Sequence, residues 1–211
     1  MTRNTHDHSH AVEHLIQADP ILARLIRQVG PCNLRIRSRR TPYQALVSAV
    51  IYQQLNGIAA ETILSRVQSL YSKTRFPSPE QLLESPDEEL RAAGLSRAKT
   101  AALKDIAAKT LSGLVPSTRV IRKLSDAEIM ERLVQLRGVG PWTVEMLLIF
   151  TLGRLDILPV TDYGVQKGFA LTYSWDDIPQ PRQLLAEGER WRPFRSIAAW
   201  YFWRAVELPR H

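Results

Sequence analysis

Cysteine is nearly absent from this chain of 211 residues, with Cys32 as its only representative. A single thiol cannot form an internal disulfide, and it cannot supply a four-cysteine zinc or iron–sulfur site. The sequence also lacks any run near the roughly 18 consecutive apolar residues that a membrane helix needs. No secretory signal pattern opens it, so we expect a protein that is neither exported nor bound to a membrane.

Acidic residues are outnumbered in this chain. There are 21 Asp and Glu against 28 Lys and Arg, which gives a formal net charge of +7 at pH 7. Such a balance suggests a polyanionic partner, because Lys and Arg gain binding energy by releasing counterions from phosphates. Charge alone fits an ordinary basic protein equally well.

Alternation typical of β-strands is also scarce, whereas helix starts are easily recognised. Capping boxes are predicted at Ser78, Ser85 and Ser125, each with Gln or Glu three residues later. Apolar residues recur between them at helical spacing. The predicted fold class is all-α. Residues 1–10, with His6, His8 and His10, are predicted to be a disordered tail rather than a metal site.

The segment from Leu133 to Leu147 contains the most informative pattern. An amphipathic helix is predicted to end at Gly138, and a second helix to begin at Pro141. The Gly-Val-Gly turn between them would let the backbone approach a partner closely, beside the positive end of the second helix. That geometry suits a phosphate, although an ordinary helical hairpin with a glycine C-cap would share it. Basic residues near this turn would contact the DNA backbone: Arg137, Arg97 and Lys99.

A carboxylate follows further along the chain, where Asp162 stands after an apolar segment that contains Pro159. Its position predicts a helix N-cap, and capping alone would explain it. Thr161 is an alternative cap.

The order of these motifs resembles a known family. Leu-x-Gly-Val-Gly-x-Trp-Thr at 136–143, followed by Leu-Pro-x-x-Asp at 158–162, is similar to the helix-hairpin-helix superfamily of DNA glycosylases. The resemblance runs from about residue 11 to residue 207, and it includes the segments 43–60, 94–99 and 189–204. It implies a two-lobed helical fold with a cleft between the lobes. Lobe one would comprise about 11–40 and 155–211 and lobe two about 41–154, with the hairpin at about 126–152.

The resemblance also implies a branch. Bifunctional members carry a nucleophilic lysine two residues after the second glycine, where this chain has Trp142. Without that amine no Schiff base can form there, so we expect no AP-lyase activity. The chain is most similar to the compact alkylation-repair branch, of the DNA-3-methyladenine glycosylase II type. Such an enzyme excises alkylated purines, 3-methyladenine and 7-methylguanine among them, in base excision repair.

In that branch Asp162 would be the catalytic residue. The base pocket would be formed by Trp142 and Trp203, with Tyr163 as a weaker candidate, because electron-rich rings attract a cationic purine. From its apolar helix alone, Trp203 would be interpreted as a core residue.

The family's DNA contacts fall on two segments of this chain. The hairpin would hold a phosphate, and a turn within the segment 43–60 would enter the gap left by the flipped base. No cofactor is expected, although the carbonyls of Leu136 and Val139 would suit a structural monovalent cation. These predicted DNA contacts are Gly138, Val139, Gly140, Thr143 and Arg137 in the hairpin, Gln53, Gln54 and Leu55 in the turn, and Arg97 and Lys99 before the hairpin.

The expected partner is double-stranded DNA with damaged bases. We expect the protein to be a monomer, located in the cytoplasm if it is bacterial and in the nucleus if it is eukaryotic. Two alternatives stay open. One is a non-catalytic helix-hairpin-helix module that binds DNA, which would need neither Asp162 nor an aromatic pocket. The other is a monofunctional glycosylase for another lesion, such as ethenoadenine, uracil or mismatched thymine.

Overall fold

The computed structural model describes residues 7–55, 57–71 and 76–209, and within these ranges it is helical with no β-strand. The all-α prediction is therefore confirmed. Among the described residues no helix is long and apolar enough to cross a membrane. In chain order the α-helices are α1 (Ser9–Ala18), α2 (Pro20–Val29), α3 (Pro42–Tyr52), α4 (Gly57–Ser69), α5 (Pro79–Glu84), α6 (Asp87–Ala92), α7 (Arg97–Leu111), α8 (Thr118–Ile121), α9 (Asp126–Leu133), α10 (Pro141–Leu147), α11 (Tyr163–Tyr173), α12 (Pro181–Glu187) and α13 (Arg195–Glu207).

Two of the three predicted capping boxes are present. Ser78 and Ser125 form complete capping boxes on α5 and α9, as predicted. The box predicted at Ser85 is wrong, because its hydroxyl donates to the carbonyl of Gln81 at the end of α5. Helix α6 begins at Asp87 without a side-chain cap. The Ser85 hydroxyl is thus used by the helix that precedes it.

The N-terminal segment is ordered earlier than predicted. Helix α1 begins at Ser9, and His8 is buried with its Nε2 3.3 Å from the carbonyl oxygen of Leu34. The predicted tail of residues 1–10 therefore extends too far, because burial of the His8 ring and of Ala11 stabilises the start of α1. His6 lies outside the described residues. In the part of the chain that the structure describes, no group of His, Cys, Asp and Glu side chains could hold a metal ion.

The chain divides into two compact units. The first unit contains the residues up to Arg37 together with those from Leu152 onward, and the second runs from Ser38 to Thr151. These boundaries fall close to those predicted for the two lobes.

In the second unit, α7 packs against α3 and α5 through a buried face that contains Leu103 and Ile106. The core of the first unit is built around α13, whose residues from Arg195 to Phe202 are all buried. Helix α11 crosses it so closely that a Cβ at Gly168 would lie 1.9 Å from the carbonyl oxygen of Phe202. Only glycine permits this approach.

Asp19 joins three parts of the first unit. Its carboxylate is 1% exposed and caps α2 by accepting the backbone N–H groups of Ile21 and Leu22, both at 3.0 Å. It also accepts the hydroxyl of Tyr173 and the indole N–H of Trp191. Burial disfavours the charged form, but these hydrogen bonds outweigh it and lower the pKa of Asp19 below its ordinary value.

We expect Asp19→Ala to lower the free energy of unfolding by about 3–5 kcal/mol at neutral pH, because it leaves buried donors without an acceptor. Since the folded pKa of Asp19 is depressed, its contribution is present above the unfolded value of about 3.9 and is lost as the pH falls through the folded value. Urea unfolding of the wild type and of Asp19→Ala should therefore show a difference in the free energy of unfolding that becomes smaller in acid.

Asp176→Ala is the matched control, because Asp176 is exposed between α11 and α12. Its effect should stay within about 0.5 kcal/mol. A gap for Asp19→Ala that does not change with pH would contradict the assigned cause.

Candidate active site and nucleic-acid interface

Asp162 is the N-cap of α11, as predicted. Its Oδ1 accepts the backbone N–H of Val165 at 2.8 Å and the indole Nε1–H of Trp203, also at 2.8 Å. The side chain is half-buried. Two N–H donors on one oxygen fix the orientation of the carboxylate and place partial positive charge beside it.

Trp203 projects from α13 toward this carboxylate and is half-buried. The close contact between Trp203 and Asp162 depends on Gly164, since a Cβ there would lie 2.9 Å from Cδ1 of Trp203 and 3.1 Å from Oδ1 of Asp162. The core interpretation of Trp203 is therefore incomplete, because its indole N–H serves the candidate catalytic carboxylate. Gly164 was not predicted as a site residue, since nothing in its sequence context signals a contact with a residue on α13.

The segment that leads to Asp162 is tied to the start of α13. Ser196 is fully buried, and its hydroxyl donates to the carbonyl of Arg154 and accepts the N–H of Ile157. Asp156 forms ion pairs with Arg195 at 2.6 Å and Arg192 at 2.7 Å. The pKa of Arg192 is raised, chiefly by its hydrogen bond to Glu189 and in addition by Asp156. These contacts fix the segment that precedes Asp162 to the start of α13.

Tyr163, the weaker pocket candidate, lies on the surface. Its side chain is 61% exposed, and the ammonium group of Lys167 lies 5.7 Å from the ring centroid. This placement does not support the predicted pocket role, because a cation of the protein already lies over the ring. Trp142 lies in the second unit, half-buried in the first turn of α10.

The hairpin turn of the second unit, residues 137–140, differs in part from the prediction. Helix α10 begins at Pro141 as predicted, but α9 ends at Leu133, well before Gly138. Gly138 has φ +74°, and a Cβ there would lie 2.9 Å from Cβ of Ala102. Glycine is therefore required at Gly138 both by backbone conformation and by its contact with α7.

Two charged side chains of α7 support this turn. Asp105 accepts the backbone N–H of Arg137 at 2.7 Å, and Lys109 donates to the carbonyl of Gln135 at 2.7 Å. The Arg137 side chain is exposed, as its predicted phosphate contact requires. Of the carbonyls proposed for a cation, that of Leu136 accepts the N–H of Val139.

Gln53 and Thr143 are not placed as predicted. The side-chain amide of Gln53 donates to the carbonyl of Gly138 at 2.9 Å and to the hydroxyl of Thr143 at 3.0 Å. Thr143 is 1% exposed. Both polar groups are therefore used within the protein, and neither prediction of a DNA contact is supported for these side chains.

The prediction that Lys99 contacts phosphate is likewise not supported, because its ammonium donates to the carbonyls of Ile51 and Gln53 at 2.7 and 2.8 Å. Burial lowers the pKa of Lys99. Arg97 is exposed, and so are Gln54 and Leu55 at the tip of the turn that follows α3. These three side chains are placed as a DNA contact requires.

Comparisons with known proteins agree on one family. The model of the HhH-GPD superfamily of base excision DNA repair proteins matches residues 47–193. DNA-3-methyladenine glycosylase 1 of Schizosaccharomyces pombe is 39% identical over 92% of this chain and 86% of its own length.

Two solved structures extend the comparison. The Schizosaccharomyces pombe 3-methyladenine DNA glycosylase, in complex with abasic DNA, has a TM-score of 0.88 at 39% identity and covers 95% of this chain and 98% of its own. A DNA-3-methyladenine glycosidase from Bacillus halodurans has a TM-score of 0.82 at 32% identity, with 94% and 89% covered.

The contact between Gly164 and Trp203 predicts the effect of a single methyl group. Gly164→Ala should displace the indole and cost about 1–3 kcal/mol of stability through overpacking. The indole N–H resonance of Trp203, assigned with Trp203→Phe, should shift as its bond to Asp162 lengthens. Gly57→Ala is the control, because a Cβ there meets nothing within 4 Å. An unchanged resonance in Gly164→Ala would refute the contact.

Proposed function

Because the chain belongs to the HhH-GPD superfamily of base excision DNA repair proteins, we propose that it is a DNA glycosylase that releases N-alkylated purines, such as 3-methyladenine and 7-methylguanine, from duplex DNA. The observation that carries the proposal is the Asp162 carboxylate, held by Val165 and Trp203 at the start of α11. The similarity to a DNA-3-methyladenine glycosylase extends over nearly the whole chain.

The chemistry needs one well-placed negative charge. An N-alkylated purine carries positive charge and leaves readily, so positive charge develops on the sugar as the N-glycosidic bond breaks. Asp162 stabilises that cation and orients the water that attacks C1′. Its hydrogen bonds to Val165 and Trp203 hold the carboxylate in place before the reaction, so little reorganisation accompanies bond cleavage.

Aromatic faces supply recognition of the charged base. Trp142 and Trp203 are both half-buried, so each keeps part of its ring accessible. A cation over an indole face gains about 0.5–2 kcal/mol, a preference that a neutral purine does not share. This term favours cationic lesions over normal bases.

The second unit holds the DNA. The hairpin turn between α9 and α10 and the exposed Arg137 side chain contact phosphate on the lesion strand. Arg97, at the start of α7, contributes a further backbone contact. The exposed Gln54 and Leu55 occupy the space that the flipped nucleotide leaves.

The reaction ends at the abasic site. Trp142 stands where bifunctional relatives would need a lysine amine, so this position cannot form a Schiff base with C1′. Water is the nucleophile, and the strand is left uncut.

Borohydride, which traps a Schiff base as a stable cross-link, should therefore trap no covalent complex with abasic DNA.

Asp162→Asn tests the proposal, because Asn can still cap α11 but carries no charge. We expect single-turnover release of 7-methylguanine from methylated duplex to fall by about 10²–10³-fold, while DNA affinity changes little. Base release and strand scission are measured in the same samples.

Three outcomes can be distinguished. Release by wild type alone, without strand scission, supports a monofunctional glycosylase. Retained activity in Asp162→Asn means that another group carries the chemistry. Tight DNA binding without release of any alkylated base would indicate a non-catalytic binding module or a different lesion.

Trp142→Ala tests the aromatic contact separately. The rate on cationic 7-methylguanine should fall about 2- to 30-fold further than the rate on neutral hypoxanthine, since only the cation loses the ring-face interaction. Trp142→Phe should restore part of the difference. Equal losses on both bases would show that Trp142 contributes shape rather than charge recognition.

A further inference from the structure

The turn after α3 has an unusual backbone conformation. Helix α3 ends at Tyr52, and the chain reverses through Gln53 (φ −54°, ψ 133°) and Gln54 (φ 56°). A residue other than glycine rarely adopts a positive φ unless surrounding contacts hold it there. We name residues 53–55 the probe turn, because its exposed end, Gln54 and Leu55, is the part proposed to enter the duplex.

Lys99 holds the start of the probe turn. Its ammonium group donates to the carbonyls of Ile51 and Gln53, at 2.7 and 2.8 Å. These carbonyls lie at the end of α3, where backbone acceptors lack helical partners and the helix dipole is negative. Lys99 is itself fixed in the first turn of α7, where its backbone N–H donates to the capping Ser96 hydroxyl.

Gln53 links the probe turn to the hairpin turn. Its amide nitrogen donates to the carbonyl of Gly138 within the hairpin turn and to the hydroxyl of Thr143 in the first turn of α10, at 2.9 and 3.0 Å. Thr143 is buried and its hydrogen bond with Gln53 is partly buried, whereas the hydrogen bond from Gln53 to the Gly138 carbonyl is exposed. Both segments belong to the second unit.

We propose that Gln53 and Lys99 are positioning residues that lock the probe turn to the hairpin turn, so that base separation and phosphate binding are performed by one rigid element. The assignment rests on the proposed function for what the element does to DNA. Unpairing and unstacking the flipped base costs free energy. Binding energy gained at the phosphate can offset that cost only if the probe turn and the hairpin turn cannot move apart. Gln53 acts through this linkage and does not fill the gap itself.

Gln53→Glu is the sharpest test, because it keeps the side-chain size but places a carboxylate opposite the Gly138 carbonyl. Gln17→Glu is the charge-matched control, since Gln17 is exposed on α1 in the other unit. Hydrogen–deuterium exchange on the free proteins should show amides of both turns exchanging about tenfold faster in Gln53→Glu only. Lys99→Met should raise exchange in the probe turn. If Gln53→Glu speeds exchange in the probe turn but leaves the hairpin turn unchanged, the linkage is overturned.

Activity then tests the consequence. Single-turnover release of 7-methylguanine is compared for a lesion paired with cytosine and for the same lesion opposite an abasic site, where no pairing has to be broken. Gln53→Glu should slow the paired substrate about tenfold more than the unpaired one, relative to Gln17→Glu. Equal slowing on both substrates would indicate general damage and overturn the positioning role.

The two measurements separate the two ideas. If wild type releases no base from either duplex, the proposed function fails, and with it the role in base separation. The exchange data still decide whether Gln53 couples the two turns.

Discussion

The proposed activity depends on two N–H groups that meet one carboxylate oxygen. Oδ1 of Asp162 accepts the backbone N–H of Val165 and the indole N–H of Trp203, each at 2.8 Å. The first donor requires a helix that begins at Asp162. The second requires α11 and α13 to approach so closely that Gly164 and Gly168 have no room for a side chain. The carboxylate is therefore in place before any substrate binds, as electrostatic catalysis demands.

The rest of the first unit keeps this geometry rigid. Helix α13 is buried along most of its length, so Trp203 projects from a fixed support. Ser196 and Asp156 tie the approach segment to the start of α13, and Asp19 joins α2 to Tyr173 and Trp191. A site built on braced helices holds its groups more accurately than one on free loops.

Sequence reasoning succeeded where the signal is local. The N-caps at Ser78, Ser125 and Asp162 and the helix start at Pro141 all follow from a few neighbouring residues. It failed where a long-range contact decides. Lys99, Gln53 and Thr143 are polar residues beside DNA-binding motifs, but their partners lie 46 to 90 positions away along the chain. The need for glycine at Gly164 depends likewise on the packing of two helices, which periodicity does not reveal.

The catalytic role of Asp162 requires that positive charge develops on the sugar in the transition state. The secondary isotope effect of deuterium at C1′, measured on release of 7-methylguanine, reports that charge directly. A clearly normal effect, with the light substrate reacting faster, is predicted because C1′ becomes trigonal before water attacks. An effect near unity would mean that the nucleophile bonds to C1′ as the base departs, and would contradict stabilisation of a cationic sugar as the function of Asp162.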